Sequence, residues 1–90
     1  MDAVMKPLFR ALSLTFVERQ LLEAVRVSGT EWQNRRQIAS SLGKKSLDAY
    51  HLTRLSKLER WGFIEARKTK QRGIYLYEYR AIEQKKNNLL

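Results

Sequence analysis

The stretch from Asn34 to Gly62, NRRQIASSLGKKSLDAYHLTRLSKLERWG, constrains the fold more than any other part of the chain. Its apolar residues recur at helical spacing in two short blocks, each closed by a glycine. Asn34 is a capping residue, Gln37 stands at the third helical position, and Ile38, Ala39 and Leu42 gather on one face, so a helix is expected to run until Gly43 ends it. Lys44 and Lys45 then form a turn. Ser46 is the expected cap of a second helix, in which Leu47, Tyr50, Leu55, Leu58 and Trp61 recur until Gly62. Two helices joined by so short a connection must cross steeply, as in a helix-turn-helix.

The flanking segments read as support. Thr15-Phe16-Val17-Glu18 has the form of a capping box, and Val17, Leu21, Ala24, Val25 and Ser28 follow at the spacing of one buried helix face, with Gly29 as terminator. Between this helix and Asn34, Thr30-Glu31-Trp32-Gln33 is expected to form a short strand, with Trp32 closing the edge of the core. After Gly62, Phe63 to Lys68 and Ile74 to Arg80 read as two strands linked by Thr69-Lys70-Gln71-Arg72-Gly73. Phe63, Ile64, Ile74 and Leu76 are the expected core contacts, and Tyr75, Tyr77 and Tyr79 alternate onto the other face. Those tyrosines fit either a cross-strand ladder or stacking on bases. Residues 2 to 14 fit either a helix with Val4, Leu8, Ala11 and Leu12 as an apolar stripe or an extended arm. The tail from Ala81 to Leu90 reads as a short helix or a solvated end.

Composition enters through charge. The formal net charge is +9. Residues 1 to 34 hold Lys6, Arg10, Arg19 and Arg26 against Asp2, Glu18, Glu23 and Glu31, which balance, so the whole excess lies downstream, in the half carrying the two-helix stretch and the hairpin. Such asymmetry points to a polyanion-facing side. The chain has no cysteine, which removes disulfides, thiolate metal sites and cysteine nucleophiles and suits a reducing compartment. Its N-terminus is too short and too interrupted by Lys6, Pro7 and Arg10 for a signal peptide or a membrane span, so a cytoplasmic protein is expected. Ninety residues suit one domain with a modest core.

The order of these features, ending in Leu58-Glu59-Arg60-Trp61-Gly62-Phe63-Ile64 and a basic hairpin, resembles the winged helix-turn-helix superfamily, in particular small MarR-like prokaryotic transcriptional regulators. The resemblance covers about residues 15 to 80. It implies a mainly α fold with a small β-hairpin (α+β), a three-helix core plus a two-stranded wing. It further implies a duplex-DNA-binding regulator acting as a homodimer, with residues 1 to 14 and 81 to 90 as candidate dimerisation elements.

The resemblance places the second helix of the motif in the major groove, where base edges are distinguishable. With Leu47, Leu55 and Leu58 facing the core, rotation by about 100° per residue puts Ala49, Thr53, Ser56 and Arg60 on the opposite face with Lys57 beside them. Tyr50 and Arg54 fall nearer the core side, but related folds carry such positions near the groove, and both remain candidates. Ser46 is a candidate phosphate holder at the helix start. Lys44, Lys45, Arg35 and Arg36 suit phosphates better than bases. In the hairpin Arg67, Lys68, Lys70 and Arg72 form a basic run that the resemblance lays on the backbone or in the minor groove.

His51, the only histidine, falls on the core side and reads as structural. One histidine without cysteine makes no metal constellation, and no nucleophile, paired acid or glycine-rich phosphate loop is arranged for catalysis. No cofactor or small-molecule ligand is expected. Other roles for the same fold remain: a replication, plasmid-partition or viral accessory DNA factor, a protein-interaction module, or an RNA binder.

Overall fold

Two capping boxes set the helical frame. In the computed structural model, which describes residues 13–82, Thr15 Oγ1 accepts from the Glu18 amide while Glu18 returns a bond to the Thr15 amide; Asn34 and Gln37 do the same at the next helix. Each box satisfies amides that would otherwise be orphaned at a helix start. The expectations for residues 1 to 12 and 83 to 90 lie outside the described residues.

Among the described residues the chain runs α1 (Phe16–Arg26), β1 (Gln33–Asn34), α2 (Arg35–Ser41), α3 (Ala49–Arg60), β2 (Ile64–Gln71) and β3 (Ile74–Ala81). The described residues thus make a small α+β domain with three helices and a three-stranded antiparallel sheet in the order β1-β3-β2. The short strand expected before the second helix is present and joins the hairpin as the third strand of the sheet. That strand is Gln33–Asn34, later than the expected Thr30 to Gln33, and it pairs with Tyr79 and Glu78. Gln33 decides its position: its buried amide nitrogen donates to the carbonyls of Ala24 and Val25 at 2.9 and 2.8 Å, satisfying groups left open at the end of α1.

The helix over Ala49–Arg60 begins later than Ser46 predicts. Asp48 is the N-cap, accepting from the His51 amide at 2.9 Å and contacting the His51 ring at 2.7 Å. A cap that holds two groups of the same residue outcompetes Ser46, which stays in an exposed loop with Lys44 and Lys45. The connection between α2 and α3 is consequently longer than a tight helix-turn-helix turn.

The hairpin is also longer than its sequence suggests. Thr69, Lys70 and Gln71 pair with Leu76, Tyr75 and Ile74, leaving only Arg72 and Gly73 as the turn, with φ of 51° and 80°. Two consecutive positive φ values are the signature of a type I′ turn, whose twist matches that of the strands; glycine takes the second position without strain.

The core comprises Leu14, Leu21, Leu22, Ala24 and Val25 with Ile38, Leu55, Leu58, Phe63, Ile64 and Tyr79. Fully burying side chains such as Leu21, Leu55 and Leu58 stabilises the fold by about 2 kcal/mol each. Ile74 and Leu76 do not belong to this core. Ile74 is 65% exposed, and register places both residues on the sheet face turned away from the helices. The tyrosines instead occupy the helix-side face, where Tyr79 is buried and Tyr75 and Tyr77 lie beyond the edge of the core.

Candidate nucleic-acid interface

Helix α3 presents two different faces. Ala49, Thr53, Ser56 and Arg60 are all exposed, as helical rotation predicts, and Glu59 flanks them. Thr53 Oγ1 donates to the Ala49 carbonyl at 2.9 Å, a bond it can exchange for an external acceptor. Tyr50 is 51% exposed at the margin of this face.

The other face of α3 carries Arg54 and Lys57, and both turn to a single buried carboxylate on α1. Glu18 is fully buried; Arg54 Nη1 reaches its Oε2 at 2.9 Å, and Lys57 Nζ reaches its two oxygens at 3.1 and 3.0 Å. The lysine ammonium also lies 4.5 Å from the Trp61 ring centroid and the arginine 5.3 Å from that of Tyr50. Burial by itself would raise the Glu18 pKa, but the Thr15 amide, Lys57 and Arg54 together outweigh it and hold the carboxyl below its ordinary value. Lys57 therefore does not stand with the exposed residues Ala49, Thr53, Ser56 and Arg60, beside which the sequence places it. Arg54 sits on the core side. The helical wheel places Lys57 between the two faces, and the buried acid decides which way it turns.

His51 is mostly shielded, as a structural histidine should be, and its contact with Asp48 is the main reason that carboxyl lies below its ordinary pKa. Among the described residues no three His, Cys, Asp or Glu side chains come together as a metal site requires. No described helix is long and apolar enough to cross a membrane.

The hairpin segregates its charges by face. Side chains alternate along a strand and paired residues share a face. Glu65 and Glu78 thus fall on the face away from the helices, where Arg80 and Arg67 hold them. Those two arginines also flank Trp32, at 4.6 and 4.2 Å from its ring centroid, so Trp32 is an outer-face residue and not a member of the buried cluster. Arg67 accordingly leaves the basic run in which the sequence puts it: strand alternation and Glu78 assign it to the outer face.

The helix-side face holds Lys68 and Lys70 opposite Tyr77 and Tyr75, with Ala66, Ile64, Tyr79 and Ala81 toward the core and no acid. Lys68 Nζ lies 4.4 Å from the Tyr75 centroid and 5.6 Å from that of Tyr77, and Lys70 Nζ lies 5.4 Å from Tyr75. The start of α2 approaches the same face. Arg35 Nε donates to Tyr79 Oη at 3.0 Å and its guanidinium sits 4.2 Å from the Tyr77 centroid. Arg36 is exposed beside it, and a cleft of about 380 Å³ opens between Arg35 and Arg36 on one wall and Tyr75 and Tyr77 on the other. Arg72 stands exposed in the turn at the end of this strip.

The structure thus brings together Arg35, Arg36, Lys68 and Lys70 on one face and Ala49, Thr53, Ser56 and Arg60 on another. It draws Arg54 and Lys57 onto the buried Glu18, and Arg67 onto Glu78 on the outer face of the hairpin. Two features escaped sequence reasoning: the role of Glu18 beyond its cap, and the tyrosines as platforms for cations. A glutamate on the apolar face of α1 together with Arg54 and Lys57 on the core side of α3 was the available signal for the first. No protein-family model matches the chain, and comparison with curated proteins and with solved structures finds no match.

Proposed function

We propose that this domain is a winged helix that binds duplex DNA in a sequence-specific manner and serves as a transcriptional regulator. The observation that carries the reading is the charge segregation of the hairpin: Lys68 and Lys70 share a face with Arg35 that contains no acid, while every hairpin glutamate is paired on the opposite face. A polyphosphate chain is the partner that such a strip suits. In this reading α3 enters the major groove with Ala49, Thr53, Ser56 and Arg60 toward base edges, and the β2–β3 hairpin is the wing on the backbone or minor groove. Lys44, Lys45 and Ser46 in the exposed loop before α3 supply further phosphate contacts.

One recognition helix reads few base pairs, so the proposal includes a two-fold dimer on paired half-sites. Phe16, which begins α1, and Val27, which follows its last residue, are both largely exposed and offer apolar surface for self-association. Light scattering that returned a monomer mass at micromolar concentration would remove the dimer.

Selection from a random duplex library at near-physiological salt tests the whole reading. An enriched, two-fold-symmetric motif is the expected outcome. Retention without enrichment would reduce the role to non-specific DNA packaging, and no retention would favour a protein-interaction module.

A further inference from the structure

We infer that Tyr75 and Tyr77 act on DNA through cations: they are positioning residues that make the helix-side face of the hairpin a rail for the phosphate backbone of a duplex, not a platform on which bases stack. The inference rests on the duplex-DNA reading above and specifies what the wing contacts.

Exposed aromatics beside lysines commonly suggest base stacking, which needs a free ring face. Here neither ring is unattended. Tyr75 has Lys68 at 4.4 Å and Lys70 at 5.4 Å from its centroid; Tyr77 has Arg35 at 4.2 Å and Lys68 at 5.6 Å. A ring quadrupole attracts a cation to its face, so the tyrosines draw three side chains from two separate elements into one strip. Lysine on a free strand surface would sample many rotamers and lose them on meeting a phosphate. Lysine already held against a ring has fewer to lose.

The geometry also fixes where the strip leads. Tyr79 Oη accepts from Arg35 at the buried end, the cleft of about 380 Å³ lies between Arg35, Arg36 and the two outer rings, and Lys70 and Arg72 continue toward the turn. Phosphates spaced along a strand can follow this line without any base entering it.

The test compares Tyr75→Leu/Tyr77→Leu with Tyr75→Phe/Tyr77→Phe on a duplex and on a single strand of the same length, each over a range of salt concentrations. Removing the rings is expected to weaken duplex binding roughly tenfold for every sequence and to make the salt dependence shallower by about one phosphate equivalent. The Phe pair, which keeps both rings, is expected to restore the wild-type slope. In the free wild-type protein, ring currents should shift the side-chain methylene resonances of Lys68 and Lys70 upfield, an observation that needs no variant to fold. Unshifted lysine resonances would overturn the inference. So would a Leu pair that loses single-strand binding while its duplex salt slope stays unchanged, since the rings would then be touching bases. Wild-type protein without salt-dependent duplex binding would instead overturn the DNA reading itself, and this inference with it.

Discussion

Two groups of cations in this domain have opposite fates. Arg54 and Lys57 on α3 converge on the buried Glu18, whereas Lys68 and Lys70 on β2 face tyrosines and meet no carboxylate. Composition treats the four alike, and only the first pair serves the fold. The distinguishing feature is the residue opposite: a buried acid turns a cation into an internal strut, and a π-face leaves its charge available to an outside anion.

The largest expected effect comes from emptying the strut. Glu18→Ala leaves two half-buried cations unpaired and removes one arm of the α1 capping box, so it should cost about 3 kcal/mol. Thermal unfolding should register this as a fall of roughly 12 °C or more for a domain of this size. The pH dependence has a definite sign. Because the folded pKa of Glu18 lies below its ordinary value, its contribution is complete above about pH 4.5 and is lost as pH falls through the folded value. Glu18→Gln should therefore flatten the acid limb of stability against pH; an unchanged limb would mean that another carboxylate governs it. Lys57→Ala should lower stability and leave the preferred DNA sequence unchanged.

Next in size are the cations without acids. Lys68→Ala, Lys70→Ala or Arg72→Ala should each weaken duplex binding severalfold for all sequences and make the salt slope shallower by about one, as measured by titration at several salt concentrations. If Lys57→Ala had the same effect, the contrast between the two groups would collapse.

How far the sequence revealed these differences depended on range. Capping boxes were legible because Thr15 and Glu18, or Asn34 and Gln37, lie three residues apart and meet within one helical turn. Sheet faces were not. Alternation correctly groups Tyr75, Tyr77 and Tyr79, but their hydroxyls made Ile74 and Leu76 the natural core candidates, and only the pairing with Ala66 and the Arg35 bond show why Tyr79 can be buried. The loop expected from Thr69 to Gly73 was three residues too long, because nothing local announces that Arg72 will accept a positive φ. The exposed face of α3 was readable from rotation alone, whereas the fate of Lys57 depended on an acid on another helix, thirty-nine residues away.

The exposed face of α3, which we propose enters the groove, should show a smaller effect of a different kind. Thr53→Ala with Ser56→Ala removes neutral hydroxyls, so the salt slope should stay constant while discrimination at the contacted positions falls by about 1 kcal/mol per base pair. Selection repeated with the double variant reads this directly. An unaltered motif would remove these residues from base contact.

The smallest effect is expected at Arg67, and it bears most directly on the two-faced character of the hairpin. Arg67 is adjacent in sequence to Lys68 and carries the same charge, so any account based on local charge density would give the two substitutions equal consequences. By geometry Arg67 points to the opposite face, where Glu78 and Trp32 already hold it in a largely exposed ion pair. Such a pair contributes at most about 1 kcal/mol to stability. Its net charge is close to zero, so Arg67→Ala should change duplex affinity by less than about twofold and the salt slope hardly at all. The informative experiment sets Arg67→Ala beside Lys68→Ala under identical salt titration. Equal losses would mean that DNA senses the hairpin as a diffuse positive tip; a loss confined to Lys68 would mean that it meets one face of the sheet, the face on which the tyrosines hold their cations.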